Sequence, residues 1–155
     1  MNPFSKMSRR SLLLAGMAVS LVALSGAEAR KAPSLDNLKG TYNGTFQQTE
    51  GGGSASGKLI VKIISDKTRQ GSRMIKATAR FGRKTYKLQG GYEPSIKQLN
   101  LGGVSGRPPK ITQIAIMGHF QDEQGGVFNG LYSISSFNGA NNGECTLNRK
   151  GVHVH

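Results

Sequence analysis

The feature that most constrains the fold is a stretch near residue 40 in which apolar and polar residues strictly alternate. Large residues and glycines share one phase, and polar residues fill the other. A period of two places successive side chains on opposite faces of a β-strand, so the stretch predicts a strand with one buried and one solvated face. The predicted buried phase consists of Leu38, Gly40, Tyr42, Gly44 and Phe46.

The same unit returns three more times along the chain. In each copy a large apolar residue is followed two positions later by glycine, and two positions after that by an aromatic residue. Glycine on the inner phase allows tight coiling and leaves space for a large ring from a neighbouring strand. A repeated strand of this design indicates architecture rather than chemistry. The further copies are Leu88-Gly90-Tyr92, Ile116-Gly118-Phe120 and Phe128-Gly130-Tyr132.

Eight short segments have strand character, and none has the period of a helix. Consecutive short strands fit an antiparallel up-and-down meander barrel, which removes both sheet edges by closure. A two-sheet β-sandwich is the alternative, but it needs longer crossovers than most of these loops supply. The predicted strands are 38–48, 58–65, 73–81, 84–92, 98–101, 111–121, 126–135 and 144–149, and the longest predicted connections are 51–57, 66–72, 102–110 and 138–143.

The order of the predicted elements and the opening Gly40-Thr41-Tyr42-Asn43-Gly44 resemble small barrel binders of the avidin and lipocalin kind. Those families rely on tryptophan for ligand stacking or for barrel closure, and this chain contains none. The resemblance therefore implies a shared architecture only, and no ligand site is carried over to this sequence.

The first 29 residues have the composition of an export signal. A basic segment precedes an apolar run, and Ala27 and Ala29 supply the small side chains that a signal peptidase requires. The apolar run is shorter than the ~20 residues of a membrane span. We therefore expect cleavage before Arg30 and a periplasmic or secreted protein. The pair Arg9-Arg10 resembles the bacterial twin-arginine signal and leaves the twin-arginine and general secretory routes both open.

The mature chain is predicted to be one small domain. It would comprise a lead-in over 30–37, a β-barrel over 38–150 and a disordered tail over 151–155, with no transmembrane span. Cys145 is the only cysteine, so no internal disulfide can form, and its phase with Leu147 predicts a buried, inert thiol.

The inventory of reactive side chains argues against an enzyme. The acidic residues of the mature chain fall in predicted turns, in the lead-in or at strand ends, and two of the three histidines, His153 and His155, lie in the tail. No nucleophile, base and acid come together in this pattern. Two histidines without a third ligand make a weak metal site. We predict no catalytic residues, no metal site and no cofactor.

Positive charge is the feature with functional content. The chain has a formal net charge of +13, and between residues 58 and 87 ten basic residues stand against the single acid Asp66. The predicted strands two to four are neighbours in a meander, so the outward basic residues would form one positive face. The alternative is a solvated face that maintains solubility, although solubility alone would allow mixed signs. The candidate residues for binding an anionic partner are Lys58, Lys62, Arg73, Lys76, Arg80 and Lys87.

A positive face of this kind attracts an anionic polymer, a lipid head group or an acidic protein. The outward phase lacks the interleaved aromatic residues of single-strand nucleic-acid binders, and an exported destination also argues against nucleic acid. The sequence therefore predicts a non-enzymatic protein that binds an anionic surface or polymer.

Two other functions remain open at this point. The protein could carry a small ligand inside the barrel with Tyr42, Tyr92 and Tyr132 as polar contacts, although we expect the aromatic rings to fill the interior. It could also be an exported protein inhibitor. The outward phase near Met117 and Leu131 is partly apolar, which predicts a contact between copies of the chain.

Overall fold

The structure is a computed structural model that describes residues 34–50 and 55–151. Eight antiparallel strands form a closed barrel in which each strand pairs with its neighbours in the chain and the first pairs with the last. The predicted up-and-down barrel is thereby confirmed, and the sandwich is excluded. The strands are β1 (Gly40–Glu50), β2 (Ser56–Arg69), β3 (Ser72–Phe81), β4 (Lys84–Glu93), β5 (Gln98–Arg107), β6 (Lys110–Phe120), β7 (Val127–Ser136) and β8 (Gly139–Arg149).

Several predictions fall outside the described residues. These are the signal peptide, the first part of the lead-in, residues 51–54 of the glycine-rich connection and the tail beyond residue 151. The only helix within the described residues is a single 3₁₀ turn, Pro94–Ile96, between β4 and β5. No helix in this part of the chain has the length and the apolar character needed to cross a membrane.

Three strands are longer than the sequence predicts. The end of β2, the second half of β5 and the start of β8 are polar or glycine-rich, and the sequence pattern assigns them to connections. They are strands because their backbones pair with the adjacent hairpin arm, which requires no apolar side chain. The β2–β3 turn shrinks to Gln70 and Gly71, both with positive φ (50° and 80°), as in the two-residue turns that suit hairpins.

The meander gives the barrel two distinct ends. We call the end with the β2–β3, β4–β5 and β6–β7 connections the lower end, and the end with the other four connections the upper end. The inward phase predicted for β1 is confirmed, because Leu38 and Tyr42 are buried and Phe46 packs against the core.

The glycines of the inner phase mark close approaches between strands. A Cβ atom added to Gly44 would overlap the carbonyl oxygen of Thr146 on β8, and one added to Gly90 would overlap that of Asn100 on β5. At Gly118 a Cβ would also meet the ring of Phe128. The expected accommodation of rings thus occurs on the β6–β7 side, whereas at Gly44 and Gly90 the neighbouring backbone takes the space.

Aromatic rings fill the barrel in two groups, as the alternation of glycine with tyrosine and phenylalanine leads us to expect. Ring centroids within each group lie 5.2–6.2 Å apart in tilted or edge-to-face pairs, the geometry that aromatic pairs prefer. Leucine, isoleucine and valine side chains complete the core. The upper group is Phe46, Phe81, Tyr86 and Tyr132, and the lower group is Tyr42, Tyr92, Phe120 and Phe128.

The end of the lead-in packs against the lower end of the barrel. Leu38 is fully buried, and its carbonyl accepts a hydrogen bond of 2.9 Å from the hydroxyl of Tyr42. The buried guanidinium of Arg149, at the end of β8, donates to the carbonyl oxygens of Asn37 (2.8 Å) and Lys39 (2.6 Å). It also lies 5.6 Å from the ring centroid of Tyr42. The last strand therefore fastens the segment that precedes the first strand.

Candidate functional site

Five of the six predicted anion-binding residues lie on one outer face of the barrel. Their side chains are exposed and point outward from three adjacent strands. None of them forms an ion pair with another residue in the described part of the chain. We call this surface the basic face. It consists of Lys58 and Lys62 on β2, Lys76 and Arg80 on β3, and Lys87 on β4.

The strand register sets the spacing of these charges. Lys62 and Lys87 stand on either side of Thr78 in one row across the sheet. Arg80 occupies the next row toward the upper end, and Lys76 the next row toward the lower end. Residues directly opposite on neighbouring strands have Cβ atoms roughly 5 Å apart, and diagonal neighbours roughly 7–8 Å apart. Neighbouring cations thus lie within about one Debye length of one another, and their fields add.

Arg73, the sixth predicted residue, does not belong to the basic face. It lies in the inward phase of β3, and its Nε and Nη2 donate to the two carboxylate oxygens of Asp66 at 2.7 and 2.5 Å. Its guanidinium also lies 4.7 Å from the ring centroid of Tyr92. Arg73 stabilises the lower end, because its hydrogen bonds are directed at a partly buried carboxylate. It is therefore not a candidate for binding an anionic partner.

Asp66 is held by two groups. Besides the Arg73 guanidinium, the backbone N–H of Leu38 donates to Asp66 Oδ2 at 2.7 Å. Desolvation opposes ionisation of this carboxylate, but the hydrogen bonds from Arg73 and Leu38 outweigh it, so its pKa is lowered. The same ion pair raises the pKa of Arg73.

Most acidic residues of the barrel lie at the lower end, and two of them have structural roles. Desolvation also opposes ionisation of Asp122, yet backbone N–H groups of the β6–β7 connection, including those of Gly126 and Val127 (both 2.8 Å), lower its pKa. Asp66 and Asp122 are therefore held by hydrogen bonds from the protein and are not simply solvated. No three acidic, histidine or cysteine side chains within the described residues are grouped so that they could hold a metal ion.

The upper end carries basic residues that the sequence analysis did not place together. Alternate turns of a meander share one end of a barrel, so the β3–β4 and β5–β6 turns bring separate parts of the sequence to the same rim. Phe137, in the β7–β8 turn, is 87% exposed there. Chain topology, rather than strand phase, is the signal that would have identified this end. Its exposed basic residues are Arg83, Lys84, Arg107 and Lys110.

A groove crosses the outer wall next to the basic face. It has a volume of about 690 Å³ and lies where β4 and β5 are paired only over Gln89–Glu93 and Gln98–Gly102. Lys76 and Lys87 line it together with two apolar side chains that are unusually exposed, Ile64 (53%) and Val104 (65%). The groove therefore combines positive charge with apolar surface. Strand phase alone did not reveal it, because it depends on where the β4–β5 pairing ends.

The three tyrosines proposed as interior ligand contacts do not share one site. Tyr42 and Tyr92 belong to the lower group of rings, whereas Tyr132 belongs to the upper group. Burial raises the pKa of Tyr42 to about 12, which keeps its hydroxyl protonated. The buried hydroxyl of Tyr92 has no hydrogen-bond partner among the described residues.

Two further side chains have the positions that the sequence predicts. Cys145 is buried, and desolvation raises the pKa of its thiol to about 12, so the reactive thiolate is scarce at neutral pH. Met117 and Leu131 stand opposite each other on β6 and β7 and are 49% and 58% exposed, as a partly apolar outer surface requires.

Comparison of this chain with known proteins identifies no family. No model of a protein family matches the chain, and no curated protein matches it either.

Proposed function

We propose that the protein is an exported, non-enzymatic binding protein that engages an anionic surface or polymer through the basic face. The observation that carries this proposal is the grouping of five exposed cations on three adjacent strands. A face that only maintained solubility would not need charges of one sign in adjacent rows. The concentration of acidic residues at the lower end leaves the field of this face uncompensated nearby.

The test is a matched pair of triple variants. Changing Lys62, Lys76 and Arg80 together to glutamine is expected to weaken binding to heparin and to anionic vesicles by well over tenfold, because each cation contributes on the order of 1 kcal/mol at an anionic surface. Binding by the wild-type protein should also fall steeply as salt concentration rises, since bound counterions are released. The melting temperature should hardly change, because all three side chains are exposed.

The control removes the same charge from the other end of the barrel. Lys39, Arg69 and Lys150 are also two lysines and one arginine, and all three are exposed near the lower end. Their triple glutamine variant is expected to retain most of the binding. Equal losses in both variants would mean that only total charge matters, and the assignment to the basic face would then be wrong.

Export is a part of this proposal with its own measurement. The basic, apolar and small-residue segments before Arg30 support it. Protein recovered from the periplasm or the medium is expected to begin at Arg30, as N-terminal sequencing can determine. Recovery of a chain that retains residues 1–29 would contradict cleavage.

The other two functions have less support. A carrier needs interior space, and the two groups of aromatic rings occupy the barrel. No feature of the surface formed by residues 34–50 and 55–151 favours an inhibitor over a binder of other anionic partners. Contact between copies of the chain remains a hypothesis based on the exposed Met117–Leu131 pair, and sedimentation of the wild-type protein against a variant with asparagine at both positions tests it.

A further inference from the structure

The groove beside the basic face offers two kinds of surface at once. On β3 and β4, Lys76 and Lys87 are diagonal neighbours, and their exposed ammonium groups flank it. Ile64 and Val104 present exposed apolar surface to it, and the buried Leu88 also lines it. A volume of about 690 Å³ falls within the range of roughly 300–1,000 Å³ that is usual for small-molecule sites.

The backbone explains why the groove exists here. The register of β2 against β3 shifts between Ile63 and Ser65, so Ile64 is the extra residue of a β-bulge and points outward. On the other side, β5 contributes Gly102, which has no side chain to fill the space, and Gly103, whose backbone lies close to that of Lys87 on β4. An apolar residue turned outward on one wall and Gly102 on the other leave an open, partly apolar channel in a face that is otherwise cationic.

The combination of positive charge and apolar surface restricts the class of ligand that can occupy the groove. A second copy of this chain would bring another basic face toward this one, and the net charge of +13 opposes such a contact. An anionic polymer would satisfy the lysines but would leave Ile64 and Val104 exposed to water. An amphiphile with an anionic head and an acyl chain satisfies both.

We propose that the groove binds an anionic phospholipid, with an acyl chain against Ile64 and Val104 and the phosphate beside Lys76 and Lys87. This inference rests on the proposed function, because it names the anionic partner of the same face. The lysines select the head group by charge, and the apolar walls bind the chain by removing it from water. Gly102 lines the groove, and a larger side chain has room there, since an added Cβ would come no nearer than 3.8 Å to the carbonyl oxygen of Ile114.

The test uses lysophosphatidylglycerol of increasing acyl-chain length, titrated calorimetrically below its micelle concentration. Affinity is expected to rise roughly fourfold for each methylene that enters the groove, from a free energy of about 0.8 kcal/mol per buried CH₂. Lysophosphatidylcholine with the same chain, which has no net charge, should bind at least several-fold more weakly. Glycerol phosphate, which lacks the chain, should bind negligibly.

Two variants locate the site, and one serves as the control. Gly102→Leu fills the groove without changing any charge, and Ile64→Asn with Val104→Asn removes its apolar walls; both should abolish the dependence on chain length. Leu131→Asn with Phe137→Asn alters exposed apolar residues of β7 and the β7–β8 turn, which do not line the groove, and should leave that dependence intact. Affinity that does not depend on chain length, wild-type behaviour of Gly102→Leu, or equal loss in the control would each overturn the inference.

Heparin titrations of the same proteins separate this inference from the proposed function. If heparin binds the wild type and the groove variants equally while chain length has no effect, the lipid site is wrong and the basic face stands. If lysophosphatidylglycerol binds with the expected chain dependence while heparin and anionic vesicles do not bind, the groove is supported and the proposed function is wrong.

Discussion

Gly44→Ala is expected to destabilise the barrel by at least about 3 kcal/mol, at the upper end of the usual cost of overpacking. The new methyl group would overlap the carbonyl oxygen of Thr146, which belongs to the backbone of β8 and cannot rotate away. One of the two strands must therefore shift at the seam where the first and last strands close the barrel. Urea unfolding of the variant and the wild type measures the loss.

Gly102→Ala is the matched control for this prediction. Gly102 also lies in a strand, but its added methyl group would have only an ordinary contact at 3.8 Å. Restricting the unfolded chain should make this variant equally stable or more stable by about 0.5 kcal/mol. Similar stabilities of the two alanine variants would show that the close approach at Gly44 does not restrict the side chain.

Asp66→Asn is expected to lower the free energy of unfolding by about 3 kcal/mol, the lower end of the usual cost of breaking a buried ion pair. The substitution leaves the Arg73 guanidinium, whose side chain is only 11% exposed, without its anionic partner. It also weakens the attachment of the lead-in, because Leu38 N–H donates to the same carboxylate. Glu93→Gln, which alters an exposed acid at the same end, should change stability little.

The contribution of Asp66 should also depend on pH in a definite direction. Its pKa is lowered in the folded protein, so its stabilisation is fully present above the unfolded value of about 3.9 and disappears as pH falls through the folded value. The difference in unfolding free energy between wild type and Asp66→Asn should therefore shrink between pH 6 and pH 3. Subtracting the variant cancels the similar contribution of Asp122. A difference that stays constant over this range would contradict the lowered pKa.

The alternation of residues predicts the barrel well because closure requires one buried face along every strand. Tyr42, Leu88 and Phe120 could be assigned to the interior from phase alone. The ends of the strands could not be assigned from phase. The polar segment at the end of β2 and the glycine-rich segment of β5 pair through their backbones, and such pairing has no side-chain signature.

Strand phase predicts the outward side chains of the candidate site but not the position of the β-bulge. The outward positions of Lys62, Lys76 and Lys87 follow from their apolar neighbours in sequence. The bulge at Ile64 does not, because both phases of β2 are apolar there and no residue marks the extra position. That one residue reverses the phase of the rest of β2, so Asp66 turns inward to Arg73. The resulting ion pair with Asp66 removes Arg73 from the predicted anion-binding residues, and Ile64 itself forms one wall of the groove.

The contacts of Arg149 and β8 bear on the order in which the barrel can form. Its guanidinium binds carbonyl groups that precede it by 110 to 115 positions, and β8 pairs with β1 over nearly the whole of its length. Hairpins between neighbouring strands need only local contacts, whereas these closing contacts carry the largest loop entropy in the fold. When β1 to β7 have left the ribosome and β8 has not, the seven strands can pair with their neighbours in sequence. The barrel stays open, because β1 does not yet have its second partner. Closure of the barrel therefore requires that β8 be available to pair with β1.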